Sequence, residues 1–147
     1  MYRIRKLKRE DIPECHDIQH TSHFHPQNEL WTLEHWYILC TLLTDSWVTI
    51  DDSGKIVGYA LGLIRYEEQL DNELGWYWLD ACVRRKVIGC ADDMMTFLLE
   101  QYPLLYGYID VSNRAVKLYT NRHGWRTVKT IENHYPNGSS AYLLASN

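Results

Sequence analysis

A single α/β domain built on one mixed sheet is the fold class this sequence predicts, and three observations predict it. The chain opens on strand-like alternation, with apolar and basic side chains taking turns over residues 2–7. An Asp51-Asp52-Ser53-Gly54 turn separates two apolar runs, the pattern of a β-hairpin. Stretches with helical spacing of apolar residues lie between the remaining strand-like runs, as layered α/β folds require.

Taken in order, the strand at residues 2–7 leads to a helix that starts at Glu10 or Asp11, where acidic side chains suit the positive end of the helix dipole and Pro13 is tolerated. That helix carries Ile12, Cys15 and Ile18 on one face and ends near His20; residues 21–30, with Pro26 and Asn28, read as a loop. Thr32 is placed to cap a second helix bearing Leu33, Trp36, Tyr37, Leu39, Cys40 and Leu43. Strands at 47–50 and 56–65 flank the Asp51–Gly54 turn, in which Gly54 takes positive φ and Asp and Ser bond back to the turn. A polar turn near 69–73 precedes an apolar strand at 74–83. Met94, Met95, Leu98 and Leu99 mark one face of a helix that stops before Pro103. A strand at 106–111, a helix at 113–123 closed by Gly124, and a strand pair at 125–131 and 141–144 around Pro136-Asn137-Gly138 complete the chain. The predicted order is β-α-α-β-β-β-α-β-α-β-β. Residues 1–147 read as one domain, with no repeat, linker or low-complexity tract.

Composition narrows the function classes. The chain of 147 residues has 46% hydrophobic and 23% charged residues, ordinary for a globular domain with its own core. It holds 6 Trp and 11 Tyr against 2 Phe, so some of these polar-tipped rings are expected to line a half-wet cleft. A net charge of −4 lacks the basic excess of a nucleic-acid binder and suits an amine-bearing partner better. The cysteines, Cys15, Cys40, Cys82 and Cys90, show no C-x-x-C spacing, and neither a leader-like apolar stretch nor a membrane-length run is present. A reduced, cytoplasmic protein without membrane or nucleic-acid partners is expected.

Two stretches carry chemistry. Residues 79–100 run from a strand through a short basic loop into an amphipathic helix, a geometry that aims free helix N-terminal amides at an anion. Gly89 and Ala91 keep side chains out of the way of those amides, and Arg84, Arg85 and Lys86 add charge-assisted contacts to phosphate. Residues 106–125 place Asn113, Lys117 and Tyr119 within two helical turns after a strand, followed by His123-Gly124-Trp125. Alone, Tyr119 reads as packing.

Together the two stretches resemble the GNAT superfamily of N-acetyltransferases. The family's acyl-CoA loop, Gln/Arg-x-x-Gly-x-Gly/Ala, is matched by Lys86-Val87-Ile88-Gly89-Cys90-Ala91, with Lys86 in place of the usual residue. Its later motif is matched by Asn113, Ala115, Leu118-Tyr119 and Gly124-Trp125, and residues 4–18 look like the family's opening, so the resemblance spans essentially the whole chain. It implies splayed strands at 74–81 and 106–111 with acetyl-CoA between them. The pantetheine arm would bond near Leu79, Ala81 and Cys82, the pyrophosphate would rest on amides of Val87, Ile88, Gly89, Cys90 and Ala91, and Asn113 would contact the arm from the far side. Tyr119 would act as general acid toward the departing thiolate, while a neutral amine attacks directly. Asp92 and Asp93, which would repel a pyrophosphate, are expected to point outward and complement the helix dipole.

The general base is open among Glu67, Glu68, Glu73 and Asp80, all near strand ends; Glu68 is the first choice. His16 and His20 share a helix face at a spacing that can hold zinc, with His23 and His25 following, but closed zinc sites add Cys or carboxylates more tightly, so no metal is expected. By the same resemblance this region shapes an acceptor pocket, with His23, Phe24, Trp31 and Trp36 as contacts. The acceptor is an amine-bearing small molecule or a protein amine. A catalytically inactive binding module on the same fold is the alternative, and a homodimer through the C-terminal strands is a further expectation.

Overall fold

A computed structural model describes residues 2–22 and 30–146. The first strand, β1 (Arg3–Lys6), leads into a 3-10 turn at Arg9–Asp11 and then α1 (Ile12–Ser22). The α-helix starts slightly later than predicted because Asp11 is used elsewhere: its carboxylate accepts the Lys8 amide at 2.7 Å and pairs with Arg5 at 2.6 and 2.9 Å. In α2 (Leu33–Leu42) Thr32 is the cap, its hydroxyl accepting the His35 amide at 3.2 Å. The hairpin of β2 (Trp47–Ile50) and β3 (Ile56–Glu67) turns on Asp51, whose Oδ1 accepts from the backbone of Ser53 and Lys55, with Gly54 at φ 87°.

The second half comprises β4 (Glu73–Val83), α3 (Cys90–Gln101), β5 (Leu105–Asp110), a short α4 (Ala115–Lys117), β6 (Arg126–Ile131) and β7 (Ala141–Ala145). The helix expected over 113–123 is therefore only three residues of α-helix, widening at Leu118–Arg122 into a π-helical turn. Such turns are rare and tend to re-aim a side chain. On α3, Met94, Met95 and Leu98 are buried as expected, whereas Leu99 is exposed.

The described strands form one sheet in the order β1-β2-β3-β4-β5-β7-β6. Every pair is antiparallel except β4 and β5, which the α3 crossover makes parallel. Those two strands pair only at Trp76–Leu105 and Tyr77–Tyr106; both run on without pairing, so a gap opens between them. On the other edge of β4 the register passes from Gly62–Trp78 to Leu61–Asp80, leaving Leu79 as the extra residue of a β-bulge. The bulge reverses which way the strand faces. Before it, Trp76 and Trp78 pack with Met94, Met95 and Leu98 under α3; after it, Asp80 and Cys82 turn to the α1 side.

Candidate active site

The gap between β4 and β5 is a cavity of about 680 Å³ that passes through the sheet. Ala91, Met94 and Tyr119 line it on the α3 side, and Gln19, Tyr108 and Tyr135 on the α1 side. Leu79, Ala81, Cys82 and Asn113, the residues expected along the pantetheine arm, line it. Asn113 also starts the following turn, accepting the Ala115 amide at 2.9 Å.

Tyr119 stands in the π-helical turn, half-buried. Its ring stacks on Trp78 at 5.6 Å and lies 5.1 Å from that of Trp125. Burial first, and the nearby charge of Asp80 second, push its pKa up to about 12. The phenol therefore keeps its proton throughout the neutral range. Trp78 itself spans the gap: a Cβ on Gly107 of β5 would lie 2.4 Å from its ring, so only glycine lets the indole cross there.

On the α1 side the central group is Asp80. Its Oδ2 accepts the Tyr59 hydroxyl at 2.6 Å and the Gln19 amide at 3.0 Å. Of the four carboxylates weighed from sequence, Asp80 alone lines the cavity. Glu68, the first choice, is exposed on a 3-10 turn (Glu68–Leu70) at the far end of the β3–β4 hairpin, because β3 runs two residues further than predicted and carries Glu68 away from the gap. Glu67 is buried, paired with Arg65 at 3.2 Å.

In the loop ahead of α3, Arg85, Lys86, Ile88 and Gly89 are exposed and Val87 is half-buried. Gly89 has φ 82° and open space where a Cβ would stand, so the first-turn amides of α3 are approachable. Cys90 is buried, with its sulfur 3.2 Å from where a Gly58 Cβ would lie; it faces the sheet, and only its amide faces the loop. Arg84 departs from the expected phosphate role: its Nε donates to the Ile56 carbonyl at 3.1 Å and its Nη1 to Asp17 at 3.0 Å. Asp93 is exposed as expected, but Asp92 turns toward the end of the π-helical turn, meeting Arg122 at 2.6 Å and His123 at 3.3 Å. Arg122 offsets its charge beside the loop, and the two contacts clamp the turn carrying Tyr119 onto α3.

Among the expected acceptor contacts, Trp31 lines the cavity. Trp36 does not: it is fully buried in the α1–α2 core, stacked edge-on against Tyr59 at 5.0 Å. Its place on the apolar face of α2 made it core. His23 and Phe24 lie outside the described residues. Sequence reasoning missed Gln19, Tyr59, Trp78, Tyr108, Tyr135 and His134, which stacks on Tyr108 at 4.8 Å. A polar Gln on the apolar face of α1 and an isolated Gly107 within a strand were the available signals. Among the described residues no three His, Cys, Asp or Glu side chains gather to hold a metal, and no helix is long and apolar enough to cross a membrane.

A mixed sheet that splays at its one parallel pair, bulges beside the gap and is followed by a glycine-led helix defines the GNAT N-acetyltransferase fold, and this chain has it. Solved structures carry the likeness in particular. The ribosomal-protein-S18-alanine N-acetyltransferase of Escherichia coli is 16% identical, with 99% of this chain and 92% of that chain covered at a TM-score of 0.72. NAA60 of Arabidopsis thaliana, in complex with a bisubstrate analogue, is 15% identical over 99% and 97% at a TM-score of 0.77. Naa50 of the same plant, in complex with the bisubstrate analogue CoA-Ac-MVNAL, is 12% identical over 99% and 98% at 0.76. No family model and no curated protein matches the sequence.

Proposed function

We propose that residues 1–147 form one N-acetyltransferase domain that moves an acetyl group from acetyl-CoA to a primary amine by direct attack in a ternary complex. The observation that carries this reading is the cavity through the sheet, with a carboxylate, Asp80, on one side of the gap and a protonated phenol, Tyr119, on the other. The names of the structural neighbours support the same chemistry, and CoA-Ac-MVNAL, bound by Naa50, supports a peptide amine among the acceptors.

Acetyl-CoA supplies an activated thioester. The protein's part is to hold it and to move protons. Backbone groups of β4 near Leu79, Ala81 and Cys82 would hold the pantetheine arm, and the amides from Val87 to Ala91, with Arg85 and Lys86, the pyrophosphate. Arg84 is left out of this set, being already bonded. Asn113 reaches the arm from β5's side. Asp80 takes the proton the amine gives up, directly or through water, as nitrogen bonds to the carbonyl carbon. Amides at the bulge receive the charge that develops on the carbonyl oxygen. As the C–S bond breaks, Tyr119 gives its proton to sulfur and regains one through solvent, so the net change is amine plus thioester to amide plus thiol. Asp80 replaces Glu68 as the base, and Trp31 rather than Trp36 contacts the acceptor. The acceptor is a small-molecule or protein amine, and a cytoplasmic setting suits the four free cysteines.

Titration calorimetry with acetyl-CoA, wild type beside Gly89→Glu, tests the reading. Micromolar binding that is lost in the variant is expected, since the new carboxylate would stand beside the helix amides. Absence of binding in both proteins would favour the inactive binding module.

A further inference from the structure

We propose that Gln19 is a positioning residue that holds the charge of Asp80 and links it to the segment framing the acceptor side of the cavity. The proposal rests on the reading of Asp80 as the base.

Gln19 occupies the apolar face of α1, one turn from Cys15, where a leucine would pack without needing partners. It is 3% exposed and makes three hydrogen bonds. Its Nε2 donates to Asp80 Oδ2 at 3.0 Å. Its Oε1 accepts the indole N–H of Trp36 at 3.0 Å and the backbone N–H of Trp31 at 3.1 Å. Both partners of Oε1 are obligate donors, so the amide has one orientation only, with its NH₂ toward the carboxylate. Trp36 is fully buried and cannot follow a rotation, so the side chain is clamped.

Two neutral donors, Gln19 and Tyr59, thus converge on one oxygen of Asp80. Donors to a carboxylate favour its charged form, offsetting the desolvation that a half-buried site imposes. Being neutral, they do so without the strong loss of basicity that a lysine or arginine partner would bring. Among the described residues, titratable groups that face Asp80 include Tyr59 from β3, Cys82 from its own strand and Tyr119 from the π-helical turn; burial raises the pKa of each, Cys82 and Tyr119 to about 12. Cys15 on α1 also faces Tyr59, and Arg84 and Arg85 face Cys82. None of these groups changes charge between pH 5 and 8. The third bond matters for the acceptor. Trp31 lines the cavity, and its amide shares the Gln19 side chain with Asp80. An acceptor that settles Trp31 therefore settles the donor to the base.

The experiment is a carbon-13 titration of the Asp80 carboxyl, with acetyl-CoA as donor in parallel pH–rate profiles, for wild type, Gln19→Leu and Tyr59→Phe. Gln19→Leu is expected to raise the Asp80 midpoint by about one pH unit. The acidic limb of kcat/KM should move with it, and kcat at neutral pH should fall about tenfold, while acetyl-CoA affinity stays unchanged. Tyr59→Phe should move the same midpoint in the same direction. Gln19→Met, unbranched and of equal length, serves if the leucine variant does not fold. A midpoint unmoved in a folded Gln19 variant overturns the proposal. A midpoint that moves while the limb does not upholds the hold on Asp80 and instead removes Asp80 from the reaction.

Discussion

The two sides of the cavity are built from different physics. On the α1 side, polar bonds converge: Gln19 and Tyr59 both donate to Asp80, and Gln19 is held in turn by Trp31 and Trp36. On the α3 side, Tyr119 is held by ring faces, between Trp78 and Trp125, where burial raises its pKa. A carboxylate that must stay charged needs donors around it, whereas a phenol that must stay protonated needs their absence. The bulge at Leu79 makes the contrast available within one strand, because it sends Trp78 to one side and Asp80 to the other.

The sharpest way to break this comparison is to remove each group. Asp80→Asn should lower kcat by roughly 10² to 10⁴ at neutral pH, the range of general acid–base effects. Part of that loss should return as pH rises and the amine deprotonates unaided. Tyr119→Phe should lower kcat by a smaller factor, about 10- to 100-fold, with no alkaline recovery and unchanged acetyl-CoA affinity. Steady-state rates across pH 6 to 9.5 check both, and a Tyr119→Phe enzyme with full activity at every pH would take the phenol out of the mechanism.

A pair of glycines sharpens the same contrast at the level of packing. A Cβ at Gly62 would lie 2.4 Å from the Trp76 ring, and one at Gly107 equally close to the Trp78 ring. Either alanine should destabilise the fold by about 1–3 kcal/mol, read from denaturant melts. Only Gly107→Ala should also weaken acetyl-CoA binding, because the Trp78 ring crosses the gap to β5, whereas Trp76, which also touches the cavity, is fully buried beneath α3. Equal donor affinity in the two variants would detach Trp78 from the donor site.

The smallest expected effect concerns alkaline stability. Tyr119, Tyr106 and Cys82 have pKa values raised to about 12 and Cys90 to about 11, by burial foremost. Raised folded-state values mean that the folded chain binds more protons than the unfolded chain at high pH. This contribution is complete below about pH 9, the unfolded range of these groups, and fades as pH climbs through 11 and 12. Melting temperatures between pH 8 and 11 should fall accordingly, and a flat profile would contradict the burial of these groups.

Much of the fold was legible because it is written in short-range patterns. Thr32 before an apolar helix, Asp51 and Gly54 between two strands, and Gly89 ahead of Met94 and Met95 each act within a few residues of themselves. The loop at residues 86–91 and the place of Tyr119 beside the gap were reached through motif resemblance. What sequence reading lost depended on contacts across the fold. Trp36 and Trp31 look alike in sequence, yet one is sealed beneath Tyr59 and the other faces the cavity. Glu68 lies away from the gap, which Asp80 lines, because β3 extended beyond its predicted end. Arg84 was drawn to Asp17, 67 residues away.

By itself the sequence determined the order of strands and helices, the caps and turns between them, and a glycine-led loop ahead of α3, since propensity, periodicity and capping are local. Only the tertiary structure decided which carboxylate meets the gap, which tryptophan crosses it and that Gln19 joins α1 to Asp80. A one-residue bulge at Leu79 reverses the facing of every residue after it, and the register against β3 that creates the bulge is set by the paired strands as a whole.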